Sequence, residues 1–356
     1  MKLVFRLCAS FVVVLCLLAG CSEVSLSHKI SVESLQDTPY QIERIDRGDG
    51  SVDYWWDIDS RIEQAGVCSV KYHDSWSTAG FMVVEGTIND NPTKYPVILD
   101  TGASQAIFVR KTHIRDNHLT VLPLTNNRSD GCVLGLLHLS KLNIGNIKFI
   151  NWPTFHLRRS SFAGLFGLSF DVGNFIILGL PALKEFKYIA FDSIDRNVDF
   201  SAENSFSTDN PEQWDKFQIS VEQDFHGNAF LFVELDIEGT QVQLQLDTGS
   251  GNGLALGEGI WRQIQSNMVS SGNFLAPPPK FSRATEYYPY IGNLHCRKAR
   301  LPKMKIGTRT VNDQMVSVFS DDSPLLQDCD GLIGMRCFRN TVIVLDFENG
   351  FLWVKK

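Results

Sequence analysis

Apolar residues fall in short runs along most of this chain, with polar and turn-forming residues between them. Phe81 to Ile88 is strand-like, and Asn89-Asp90-Asn91-Pro92 then marks a turn. A second strand, Pro96-Val97-Ile98-Leu99, ends in Asp100-Thr101-Gly102-Ala103-Ser104, a carboxylate at a tight glycine-containing turn. The later half repeats the pattern. Phe230 to Ile237 reads as a strand and Glu238-Gly239-Thr240 as its turn. Val242-Gln243-Leu244-Gln245-Leu246 then leads into Asp247-Thr248-Gly249-Ser250. In each half a hairpin delivers an aspartate.

The repeat extends further. Leu139 to Gly145 matches Leu301 to Gly307, and Ile176-Ile177-Leu178-Gly179-Leu180-Pro181 matches Leu332-Ile333-Gly334-Met335-Arg336. Behind each glycine comes a short helix-like run and a strand, Tyr188 to Asp192 and Thr341 to Asp346. Four features in one order, twice, predict a mostly β protein of two similar lobes, over 80–196 and 226–356. The polar stretch 197–225 reads as the connection between them. Residues 262–295, with Pro277-Pro278-Pro279 and several tyrosines, have no counterpart of equal size in the first half. They read as an insertion or a loop over a groove.

Composition narrows the functional classes. Hydrophobic residues make up 44% and charged residues 21% of the 356, as in a folded globular protein. A net charge of -7 without a lysine or arginine block speaks against nucleic-acid partners. The first twenty residues read as a processing signal. Lys2 and Arg6 precede an apolar run from Phe11 to Ala19, too short for a span, and Leu18-Ala19-Gly20-Cys21 resembles a bacterial lipoprotein signal. That resemblance implies an acylated Cys21 and, with Ser22 after it, an anchor in the outer membrane with the body in the periplasm. Residues 22–79 form a tether and an N-terminal segment. In it, Tyr54-Trp55-Trp56 is expected to pack on the body as a strand between the halves. Five cysteines remain: Cys68, Cys132, Cys296, Cys329 and Cys337. Cys296 with Cys329 or Cys337 is the expected pair, since all three lie in one half. No spacing suggests a metal site, and no cofactor is expected.

The doubled Asp-Thr-Gly, each copy followed in its own half by an apolar-apolar-Gly segment, resembles the pepsin/retropepsin-like aspartic peptidases over roughly residues 80–356. The resemblance implies two acid-protease lobes with an active-site cleft between them. Asp100 and Asp247 would be the catalytic carboxylates. Thr101 and Thr248 would bond across to the opposite loop, while Gly102 and Gly249 would let backbone approach the carboxylates. Ala103 and Ser250 would complete the two loops, and Gly179 and Gly334 would pack over them. Ser161 to Leu168 competes with Gly179 for the first of these packing roles.

The chemistry comes from the carboxylates themselves. Two close carboxylates cannot both ionise cheaply, so they share a proton, and the pair can activate a water against a peptide carbonyl without metal or covalent intermediate. Ala103 lacks the hydroxyl that Ser250 has, so Asp100 is expected to keep its proton more readily than Asp247, with activity reaching weakly acidic or near-neutral pH. The segment 124–132 is the candidate flap, retroviral-like or a plain hairpin, and it carries no tyrosine. The sequence thus predicts a lipid-anchored, monomeric aspartic endopeptidase acting on peptide or protein substrates. The alternative is a non-catalytic peptide-binding or envelope-assembly lipoprotein on the same scaffold.

Overall fold

Strict alternation builds the strands that matter most. In Thr240–Asp247, Val242, Leu244 and Leu246 are buried, whereas Gln243, Gln245 and Asp247 line the less buried face. Lys94–Asp100 is more apolar, and within it Tyr95, Val97 and Leu99 point into the core opposite Asp100. The computed structural model describes residues 41–46, 52–57, 59–73, 82–123, 133–157, 161–163, 169–171, 175–223, 229–270, 280–288, 292–326 and 329–356. It is mostly β.

Among the described residues the first half forms an eight-stranded sheet. At its centre Ile176–Gly179 runs parallel to Lys94–Asp100, which puts Gly179 beside Asp100. Ile107–Val109 lies on the other side of Ile176–Gly179, antiparallel to it. The second half repeats this arrangement. Gly331–Gly334 runs parallel to Thr240–Asp247, with Gly334 beside Asp247, and Leu254–Gly257 lies antiparallel on its far side. Both halves continue through a long hairpin that turns at a glycine with positive φ, Gly145 (58°) or Gly307 (60°), a backbone conformation that suits a residue without Cβ. A single main hydrophobic cluster takes in residues of both halves, including Val97, Leu99, Leu244 and Leu246.

Several expectations change here. Within 197–225, Asn197–Ser201 and Trp214–Gln223 are strands of a thirteen-stranded sheet, each short and alternating, with irregular chain between them. Tyr188–Asp192 belongs to that same sheet, paired antiparallel with Val342–Asp346, so a ribbon from the first half is laced into the second. From the N-terminal segment, Arg61–Glu63 pairs with Ile147–Leu157, and Val67–Lys71 pairs with Asn197–Ser201. The Tyr54-Trp55-Trp56 strand does form, as Val52–Asp57. It pairs with Gln41–Asp46 in a two-stranded sheet of its own.

The described parts of 262–295 enlarge elements that the first half also has. The helix Glu258–Ser270 (13 residues) follows Leu254–Gly257, where the first half has Lys111–Asp116 (6 residues) after Ile107–Val109. The hairpin Ser282–Tyr288 with Gly292–Ile306 then answers Val121–Pro123 with Val133–Ile144. Pro277-Pro278-Pro279 lies outside the described residues, as do Cys21, Cys132 and the candidate flap 124–132.

Cys68, Cys296, Cys329 and Cys337 are all free thiols, so the expected pairing of Cys296 is absent. Cys337 is buried and donates to Gln314 Oε1 (3.3 Å), and Cys329 donates to the Gly331 carbonyl (3.1 Å). Among the described residues, no helix is long and apolar enough to cross a membrane.

Candidate active site

Each aspartate stands at the end of a central strand, where the neighbouring parallel strand also stops and its glycine leaves room. A Cβ on Gly179 would lie 1.9 Å from the Gln105 carbonyl oxygen, and one on Gly334 2.4 Å from that of Asn252. Behind these glycines the bonds match in pairs. Leu180 N–H donates to the Ala103 carbonyl (3.0 Å), and Met335 N–H donates to that of Ser250 (2.9 Å). Gly179 N–H donates to Ala106 and Gly334 N–H to Gly253, at 2.8 and 2.9 Å. Both aspartate loops are thus clamped by backbone. Gly179 sits against the Asp100 loop, while the glycines of the competing segment, Gly164 and Gly167, lie outside the described residues.

The two loops are then joined to each other. Thr101 N–H donates to Thr248 Oγ1 (3.0 Å), and the Thr101 hydroxyl donates to the Leu246 carbonyl (2.6 Å). In return, Thr248 N–H donates to Thr101 Oγ1 (3.0 Å) and the Thr248 hydroxyl to the Leu99 carbonyl (2.7 Å). Both threonines are fully buried, and each hydroxyl donates once and accepts once. A buried hydroxyl left unpaired is costly, so these four bonds fix the separation of the loops.

This lattice brings the two carboxylates together, and they hydrogen-bond to each other. A Cβ on Gly102 would fall 2.6 Å from Asp247 Cγ, and one on Gly249 2.2 Å from Asp100 Cγ. Only glycine fits at either place. Backbone N–H groups of Gly102 and Ala103 point at Asp100, the first at 2.9 Å, and those of Gly249 and Ser250 point at Asp247.

Burial raises the pKa of both acids above the ordinary carboxylate value. Asp247 rises further, because it also faces the charge of Asp100 and donates to it. Two carboxyls this close and this buried hold one proton between them more readily than none. The Ser250 hydroxyl is occupied as acceptor for Asn252 N–H (3.2 Å) and makes no bond to Asp247 among the described residues. Asp247 Oδ1 is buried without a protein partner, as suits an atom facing a small polar ligand such as water.

Sequence reasoning missed a cluster further across the second-half sheet. Ser317, Glu286 and Lys298 form a polar cluster on the second-half side: Ser317 Oγ donates to Glu286 Oε1 (2.5 Å), and Lys298 Nζ lies 2.6 Å from the same oxygen. Nothing local in sequence links these three, which come together only through strand pairing. Gln245 was legible, since it stands two positions before Asp247 on the same face of an alternating strand. No group of side chains suited to hold a metal ion occurs among the described residues.

No family model matches the chain, and no curated protein matches it. Solved structures similar to it include basic 7S globulin from soybean, at 10% identity and a TM-score of 0.45, covering 81% of this chain and 94% of that one. Conglutin gamma, a basic 7S globulin from lupine seeds, has the same identity and TM-score, with 82% and 94% covered. An aspartic proteinase from Irpex lacteus is similar at 12% identity and a TM-score of 0.45, with 82% and 97% covered. Likeness at this level does not bear on activity; the residues of the site do.

Proposed function

We propose that the chain is an aspartic endopeptidase, with the two halves acting as lobes on either side of a substrate cleft. The observation that supports this is a pair of carboxyls from the two halves, hydrogen-bonded to each other and held by reciprocal threonine bonds. A water between the carboxyls gives a proton to ionised Asp100 and attacks the peptide carbonyl carbon. Asp247 donates its proton to the carbonyl oxygen as charge develops there. Collapse of the resulting gem-diol breaks the C–N bond as the proton held by Asp100 passes to the amine, and the new acid's proton returns to Asp247. In this assignment Asp100 acts as the base and Asp247 as the acid, the two sharing one proton in the resting site. An extended substrate would lie along exposed strand edges with its side chains on the flanking walls.

The Cys21 lipid anchor and a periplasmic position at the outer membrane belong to the same proposal, supported by the leader sequence. The experiment is cleavage of a degenerate peptide library by the full chain in detergent from pH 3 to 8, with and without a hydroxyethylene transition-state mimic. Cleavage blocked by the mimic supports the proposal. A folded protein that binds library peptides without cutting any of them would favour the binding-lipoprotein reading instead.

A further inference from the structure

Beside the two carboxylates the halves part company. Two positions before Asp100, on the same face, stands Ile98. Its cross-strand neighbours are Val83 and Ile177, and with Phe175 they form an apolar cluster apart from the main core. The corresponding place before Asp247 holds Gln245, between Phe232 and Leu332. Gln245 is half-buried, its amide makes no hydrogen bond among the described residues, and Gln243 lies beyond it on the same face.

The next layer shows the same contrast. Phe108 and Phe155 (ring centroids 5.7 Å apart) pack with Leu157 on Ala103, beside the Asp100 loop. Ile107 pairs in parallel with Thr154 and Leu254 with Val316, so these two rings correspond to Ala255 and Ser317. A methyl and a hydroxyl thus replace two aromatic rings, and the hydroxyl is bound to Glu286, itself paired with Lys298. The first-half side is apolar. On the second-half side polar groups enter beside an apolar cluster of Ala255, Leu332, Cys296, Phe319 and Leu325: Gln245 next to Leu332, and Ser317 with the internally matched Glu286 and Lys298.

We infer, resting on the endopeptidase reading of the site, that the substrate carries an apolar side chain on one side of the scissile bond and a neutral hydrogen-bonding side chain (Asn, Gln, Ser or Thr) on the other, with Gln245 selecting the latter. An apolar side chain laid over Gln245 would strand its amide away from water, whereas an amide or hydroxyl would pair with it. Against Ile98 and Phe175 the preference reverses, because a polar group there would find no partner. A charged side chain gains little from a Glu286–Lys298 pair that is already neutralised.

The test uses the full chain in detergent and peptides varied on both sides of the cleaved bond, with kcat/KM read for wild type and Gln245→Leu. Hydroxyethylene mimics bearing Leu or Gln on either side provide binding measurements alongside. Wild type should prefer polar over apolar on one side only, by about tenfold, and Gln245→Leu should invert that preference while leaving the other side unchanged. An apolar preference on both sides, or a wild-type profile that Gln245→Leu leaves intact, overturns the inference while the endopeptidase stands. The wild-type profile decides the matter even should Gln245→Leu fail to fold. Wild type that neither cuts any peptide nor binds any mimic overturns the proposed function, and this inference with it.

Discussion

The two aspartate loops agree nearly bond for bond, while the walls beside them do not. Gly179 and Gly334, Thr101 and Thr248, Leu180 and Met335 make matching bonds at matching places. A residue or two away, Ile98 faces Gln245 and Phe108–Phe155 faces Ala255–Ser317 in the comparison. The two parts are under different constraints. The loops must hold two carboxylates within hydrogen-bonding distance in a buried site, and a reciprocal lattice that does so in one half does so in the other. The walls need only be complementary to something, and two sides of a bound chain need not be alike. Helix length obeys the same division, with thirteen residues in Glu258–Ser270 against six in Lys111–Asp116.

Substitutions in equivalent pairs probe how deep the equivalence runs. The largest effect belongs to the carboxylates: Asp100→Asn and Asp247→Asn should each lower kcat/KM by about 10³-fold or more, as expected for loss of a positioned acid or base. Unequal losses would show that the halves divide the work differently. Gly179→Ala and Gly334→Ala come next. Both press a Cβ onto backbone carbonyls, and the closer approach at Gly179 predicts that it loses more stability, each costing upwards of about 3 kcal/mol in denaturant unfolding. Thr101→Val and Thr248→Val should each cost about 1–3 kcal/mol, and equally, because each strands one carbonyl and one N–H of the opposite loop. Serine at either place should restore most of it.

The pH dependence is a subtler probe. Activity requires one proton on the pair, so the rate should fall at low pH as Asp100 becomes protonated and at high pH as Asp247 is deprotonated. Both pKa values are raised, so the whole bell lies above the ordinary carboxylate range, toward weakly acidic and neutral pH. A maximum below about pH 3 would contradict this.

The smallest effect is on stability. Because folding raises the pKa of Asp100, protonation favours the folded state. That contribution is complete below the unfolded value of 3.8 and is lost as pH rises through the folded value. Asp100→Asn should therefore melt a few degrees higher than wild type at pH 7, and at the same temperature as wild type near pH 3.

Much of this was legible in the chain. The strands around Asp100 and Asp247 announce themselves by alternation, and Gly179 and Gly334 by their matching sequels. What escaped was whatever depends on partners distant in sequence. Trp214–Gln223 alternates Phe217, Ile219 and Val221 with polar residues, but what it pairs with, Phe351–Lys355 and Ala229–Ile237, is visible only in the fold. The setting of Ser250 escaped for a related reason. Residue type suggested that its hydroxyl would serve Asp247, and only the fold shows it accepting from Asn252 N–H. The Glu286–Lys298–Ser317 cluster draws on three strands and has no local signature.

The most direct test of the central claim, that Asp100 and Asp247 act as one unit on a peptide bond, is a double-mutant cycle. kcat/KM for the best-cleaved library peptide would be measured for wild type, Asp100→Asn, Asp247→Asn and the double variant. Each single variant should fall as far as the double, because either carboxyl alone can neither activate the water nor complete the proton transfer. A single variant that keeps more than about a tenth of wild-type activity, or losses that simply add, would contradict it.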